Sequence, residues 1–213
     1  FLNPCKLIHF RIFGSLLMED IINIFSNLEF SWNIIESVAV FFSVVYVILA
    51  AKENIWCWPA AFISVCCYIF ICFTAKLYPE TGLQVFYLIM AVYGYFMWNK
   101  SDKEQIKEWS EYKHLFIILI GAILTFFMGF YFTTYTNSQM PIVDSFTTVF
   151  SVISTYMVTK KVLGNWLYWV VIDAVSVYLY YSRDLHLTSL LFVVFTIIAI
   201  FGYFAWIKKM KHA

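Results

Sequence analysis

Asp173 lies near the middle of an apolar run over residues 163–181. An ionisable group at that depth in a hydrophobic segment is costly and, by default, functional. If the run is helical, each residue turns about 100° from the last. Trp166, Trp169, Asp173, Ser176 and Tyr180 then share one face, at intervals of 3, 4, 3 and 4. That face combines aromatic planes, an anion and hydroxyls, which suits a planar cationic or polar aromatic ligand: its ring stacks on indole and its positive charge gains cation–π attraction. The competing reading is a structural carboxylate bonded to neighbouring helices, with the tryptophans as an interfacial belt. Trp166 sits near the end of its run, where the belt reading is strongest.

Other polar residues inside apolar runs extend the candidate path. Gln84, Tyr87, Tyr95 and Trp98 form a stripe on the run over 81–99. An amide in such a segment needs a partner, either across helices or on a ligand. The run over 140–159 presents Asp144, Thr147, Thr148, Ser151, Ser154 and Thr155 along one helical face. These hydroxyls either line an aqueous cavity and bond sugar hydroxyls, with Thr148 as the candidate contact, or serve as packing contacts between helices. Trp58 stands beside Pro59 at the start of another run, as an interfacial anchor or one wall of a cavity. The candidate substrate-binding set is therefore Trp58, Gln84, Tyr87, Thr148, Trp166, Trp169, Asp173 and Tyr180.

The elements that must hold these residues are set by composition. Of 213 residues, 62% are apolar and only 13% charged, with a mean hydropathy of +0.79. A soluble domain has roughly 45–50% apolar and about 25% charged residues, so this chain cannot cover a water-soluble globule. Unbroken apolar runs of about 20 residues favour helices that pair their own backbone groups. Seven are expected, over 33–51, 55–75, 81–99, 114–134, 140–159, 163–181 and 187–207, giving an all-α integral membrane fold. Residues 1–31 read as an interfacial amphipathic segment, broken by His9, Arg11, Glu19 and Asp20; the alternative is an eighth span over 7–28.

With seven spans, ten of the 14 basic residues fall on one side, among them Lys52, Lys100, Lys160, Lys161, Lys208 and Lys209. That side is expected to be cytoplasmic, with the N-terminus outside and the C-terminus inside. The near-neutral balance, 14 basic against 13 acidic, recruits no nucleic acid. Five cysteines, four of them in the run over 55–75, and four scattered histidines show no zinc spacing. No Gly-rich phosphate loop is present. No metal and no cofactor are expected.

The chain also repeats itself. Gly94-Tyr95-Phe96-Met97-Trp98-Asn99-Lys100 closes the third run, and Gly202-Tyr203-Phe204-Ala205-Trp206-Ile207-Lys208 closes the seventh, 108 positions later. At that offset Glu36-Ser37 meets Asp144-Ser145, Ser43 meets Ser151, and Lys52 meets Lys160. Two inserted residues before the sixth run then align Asn54-Ile55-Trp56 with Gly164-Asn165-Trp166, and Tyr68 with Tyr178. Two parallel triple-helix repeats joined by one extra span follow, a 3+1+3 layout: 32–100, a linker and fourth span over 101–137, then 138–209, with a tail over 210–213. Repeats of this kind with a site between them are a transporter architecture. In Gln84 and Tyr87 the first half departs from Phe192 and Phe195 of the second, which marks specialisation for a ligand. An intramembrane enzyme or assembly subunit is the reading from another class, with Asp173 and Tyr180 as its chemistry.

Asn165-Trp166-Leu167-Tyr168-Trp169-Val170-Val171-Ile172-Asp173, with Tyr178 beyond, resembles the sixth-span signature of the Pnu family of vitamin-precursor transporters. Gln84-x-x-Tyr87 followed by Tyr93-Gly94-Tyr95-Phe96-Met97-Trp98 is similar to that family's third-span signature. The resemblance covers about residues 32–209 and extends to a layout shared with sugar transporters of the SWEET kind. Within the family the chain looks most like the nicotinamide riboside branch, with the thiamine branch its nearest competitor. The resemblance implies uptake of nicotinamide riboside by facilitated diffusion and trapping by cytoplasmic phosphorylation. It also implies a homotrimer in the bacterial inner membrane.

Overall fold

The computed structural model describes residues 34–74, 78–100, 105–136 and 139–212. The chain divides into a unit over 1–37, of which only 34–37 are described, and a compact unit over 38–213. The expected N-terminal amphipathic segment lies outside the described residues. Seven helices are described: α1 (Ile34–Ala51), α2 (Cys57–Thr74), α3 (Tyr78–Lys100), α4 (Glu111–Tyr135), α5 (Pro141–Thr159), α6 (Asn165–Tyr181) and α7 (His186–His212). They match the expected runs closely, although α7 continues through Lys208-Lys209 because a helix can leave an apolar environment without ending. Six are long and apolar enough to cross a bilayer. The seventh, α6, has 17 residues, a length of about 25 Å and the lower limit for a span.

Within the compact unit α2 packs on α3, α4 on α5, α5 on α6, α6 on α7, and α3 on α5. Glycines let the partners approach. A Cβ added at Gly202 would lie 2.8–2.9 Å from three ring atoms of Trp166, and one at Gly94 would collide with the ring of Trp58. On α4, Gly121 receives the ring of Phe150 and Gly129 the side chain of Ile142. In lipid, where apolar burial adds little between helices, such close packing supplies much of the attraction. The opposite face of α4 presents Leu115, Phe116, Leu119, Ile123, Phe126, Phe127 and Phe130, all exposed and suited to acyl chains.

The repeat is written into the packing at the lysine-rich end. Trp98 Nε1 donates to Val158 O at 3.2 Å, and Trp206 Nε1 donates to Ala50 O at 3.1 Å. Donors and acceptors in these two bonds are both 108 positions apart. Trp58 meets Trp98 edge-on at 5.3 Å, Trp166 meets Trp206 edge-on at 5.5 Å, and Trp98 and Trp206 join the two pairs at 6.3 Å. The turns after α1 and α5 agree as well. Glu53 and Lys161 adopt left-handed φ values of 57° and 51°, a conformation that costs a non-glycine residue roughly 1 kcal/mol. Each closes its helix alike: Glu53 N–H bonds Ala50 O and Lys161 N–H bonds Val158 O. Their side chains meet, Lys161 Nζ lying 2.8 Å from Glu53 Oε1.

This geometry corrects the proposed two-residue insertion. The register stays at 108 through the turns, so the counterpart of Trp166 is Trp58 rather than Trp56, and that of Tyr68 is Ser176 rather than Tyr178. Trp56 and Tyr178 are largely exposed. The charged stretch before α4 is also no loose loop. Lys107 exchanges backbone hydrogen bonds with the turn after α5, donating to Lys161 O at 3.0 Å and accepting from Leu163 N–H at 2.8 Å. Ile106 is buried, and Glu108 bonds His114, whose other ring nitrogen lies 3.1 Å from the Tyr168 hydroxyl.

Candidate functional site

A cavity of about 1000 Å³ runs through the compact unit, at the upper end of the roughly 300–1,000 Å³ usual for small-molecule sites. All eight residues of the sequence-derived set line it: Trp58 from α2, Gln84 and Tyr87 from α3, Thr148 from α5, and Trp166, Trp169, Asp173 and Tyr180 from α6. The helical periodicities read from the sequence bring the α6 face and the α3 stripe to one space. The α5 stripe divides. Thr147, Thr148, Ser151 and Thr155 reach the cavity, whereas Ser154 is buried and donates to Phe150 O at 2.7 Å.

The floor is at the lysine-rich end, formed by Ala50, Trp58, Val158, Trp166 and Ala199 above the joined Trp98 and Trp206. Trp58 and Trp166 are each 2% exposed. Gly202 lies against the ring of Trp166 and Trp206 against its side, so this indole serves as floor and has little face left for stacking. The Nε1–H groups of Trp58 and Trp166 have no acceptor among the described residues. Trp169 differs: it is half-buried, lines the cavity and has no ring–ring contact among the described residues. Asp173 is 4% exposed and has no hydrogen bond or ion pair there either. A carboxylate in such a place is available to a cationic or hydrogen-bonding ligand. Tyr180 stacks on Phe192 at 5.1 Å with 9° between the planes, so one of its faces is already covered.

At the other end the lining residues are Glu80, Gln139, Asp144, Arg183 and Thr188. Arg183 Nη2 donates to Asp144 Oδ2 at 2.7 Å. Sequence reasoning had not singled out Tyr46, Tyr68, Arg183 or Phe192 as site residues. Tyr46 carried one usable signal, a lone phenol in the first apolar run; its ring lies 6.1 Å from that of Trp58. Tyr68 was obscured by the wrong register.

The lining is itself repeated. Ser43 and Ser151, Ala50 and Val158, Trp58 and Trp166, Leu83 and Leu191, and Ala91 and Ala199 are pairs at the 108 offset, and all line the space. The symmetry breaks at Gln84 against Phe192, Tyr87 against Phe195, Ala61 against Trp169, and Val65 against Asp173. The polar and stacking groups are concentrated where the halves differ.

A polytopic helical membrane protein with an internal cavity between repeated elements is built to pass a small molecule. The chain belongs to the nicotinamide mononucleotide transporter family, whose model matches residues 33–208. It is therefore a transporter and not an enzyme, which sets aside the enzyme and assembly-subunit readings. It is 25% identical over 214 residues to the nicotinamide riboside transporter PnuC of Escherichia coli (strain K12), covering 86% of this chain and 88% of that protein. It is 23% identical over 173 residues to the riboflavin/roseoflavin transporter RibM of Streptomyces davaonensis, covering 77% and 80%. A crystal structure of the vitamin B3 transporter PnuC superposes with a TM-score of 0.69 at 22% identity, covering 96% of this chain and 93% of that one.

Proposed function

We propose that this chain carries nicotinamide riboside across the bacterial inner membrane by facilitated diffusion. The broken symmetry of the cavity lining carries the reading: Gln84, Tyr87, Trp169 and Asp173 stand where the opposite half has Phe192, Phe195, Ala61 and Val65. Trp169 offers a stacking plane for the pyridinium, Asp173 a counter-charge, and Gln84 an amide for the carboxamide or ribose. Tyr87, Thr148 and Tyr180 supply hydroxyls along the walls. Trp58 and Trp166 form the floor, with their indole N–H groups as donors once the floor opens. The names of the relatives support the substrate class. The riboside is favoured over the mononucleotide because Arg183, the one lining cation among the described residues, is already paired with Asp144, while Glu80 at the same end repels a phosphate.

The path is worked by two three-helix bundles, 32–100 and 138–209, joined through 101–137 in a 3+1+3 arrangement. The paired contacts at the 108 offset support it. Substrate enters at the Glu80–Arg183 end, which faces outside together with the N-terminus. Separation of Trp98 from Val158, Trp206 from Ala50, and Glu53 from Lys161 releases it at the lysine-rich, cytoplasmic end. No ion or nucleotide drives the step, and the assembly is a homotrimer.

Riboflavin is the second reading, favoured by the RibM relative; thiamine is a third substrate of comparable chemistry. Isothermal titration of the purified protein with nicotinamide riboside, riboflavin and thiamine decides among them. The expected outcome is binding of the riboside and none of riboflavin, because a neutral flavin gains no cation–π attraction from Trp169; binding of thiamine in place of the riboside would move the assignment to the third reading. Binding of riboflavin without the riboside would overturn the assignment.

A further inference from the structure

We propose that Asp144 selects the charge class of the substrate: by occupying Arg183 it keeps phosphorylated nucleosides out of the cavity. The inference rests on the nucleoside reading above. Arg183 follows the end of α6 and Asp144 sits in the first turn of α5. Their contact is a single short bond between groups that are each about one quarter exposed, 24% and 27%. Both line the cavity at the end remote from the tryptophan floor, together with Glu80.

Arginine is the side chain best shaped to grip a phosphate, because its fork of N–H groups matches the oxygens. Left unpaired at a cavity entrance, Arg183 would recruit phosphate monoesters. With the carboxylate of Asp144 seated on it, the pair has no net charge and the fork is partly taken. Of the other ionisable groups of the lining, Glu80 stands at the same end, and Asp173 lies deeper, buried and without a partner among the described residues. A phosphate with a charge near −2 therefore meets Glu80 and an arginine already paired, whereas a pyridinium nucleoside meets an attractive entrance. Discrimination comes from a repulsive element, not from a better grip on the accepted substrate. In the repeat Arg183 corresponds to Ala75, so the device belongs to one half only.

The test is titration calorimetry with nicotinamide riboside and nicotinamide mononucleotide on purified full-length protein. Wild type is expected to refuse the mononucleotide. Asp144→Asn, which leaves Arg183 free, is expected to tighten mononucleotide binding by about tenfold or more while riboside affinity stays within about threefold. Asp144→Asn combined with Arg183→Gln is expected to lose that gain. Should Asp144→Asn not fold, Asp144→Ser removes the same charge with less bulk and is read in the same way. No gain in the charge-removing variant overturns the proposal, and so does a gain that survives without Arg183. A wild type that binds no riboside sinks the substrate reading alone. Riboflavin and flavin mononucleotide then replace the two ligands, because the proposal concerns the phosphate and not the ring.

Discussion

Trp169 and Gln84 stand where the opposite half has Ala61 and Phe192, so Trp169→Ala places there the residue the fold already accepts at the equivalent position. Trp169→Ala is expected to weaken nicotinamide riboside binding about tenfold or more, through loss of a stacking plane and its cation–π attraction. Gln84→Ala is expected to cost about tenfold, the usual effect of removing a buried hydrogen-bonding partner of a ligand. Calorimetric titration reads both, and unchanged affinity in the pair removes the assignment. Gly202→Ala acts on the scaffold instead. Its methyl group would press on the Trp166 ring at 2.8 Å, which is expected to lower the melting temperature in detergent by several degrees. That the eight candidate residues share one cavity was legible because polar and aromatic side chains are conspicuous in apolar runs and helical spacing assigns them to faces. What Trp166 does was not legible. Spacing predicts which side of a helix a ring occupies, but not that a glycine on another helix will lie flat against it.

At the scale of elements, all seven described helices fall on runs visible in the hydropathy pattern, because a bilayer leaves few alternatives to a helix. The turns after α1 and α5 were misread. Identity in aligned letters suggested an insertion, yet the backbone repeats without one, and equivalent positions carry unlike residues such as Glu53 and Lys161, or Cys57 and Asn165. The reciprocal tryptophan bonds join α3 to α5 and α7 to α1. Each is a hydrogen bond worth about 1 kcal/mol, and with the Glu53–Lys161 pair they tie the helices together at the floor. Trp206→Phe is expected to loosen this end. Cys57, fully buried beside the floor, is a native reporter. In a background of Cys5→Ser, Cys66→Ser, Cys67→Ser and Cys72→Ser, Trp206→Phe is expected to raise the rate at which a thiol reagent labels Cys57 by about fivefold, the population shift that about 1 kcal/mol gives. An unchanged rate would show that the floor does not depend on that bond.

Taken as a whole, the molecule is expected to equilibrate its substrate and not to concentrate it. In sealed vesicles, uptake of labelled nicotinamide riboside should stop when inside and outside concentrations match, whatever sodium or proton gradient is imposed; accumulation that tracks either gradient rejects passive transport. The lysine-rich end also holds a contact between the two halves, since Lys161 finds its carboxylate on the corresponding turn of the other half, at Glu53. Equivalent positions thus carry opposite signs and neutralise one another. An assembly made from two copies of the first half would set carboxylate against carboxylate at that contact, and two copies of the second would set ammonium against ammonium. Expressed as separate polypeptides, the halves should accordingly prefer each other to themselves, because this one contact rewards unlike partners and penalises like ones.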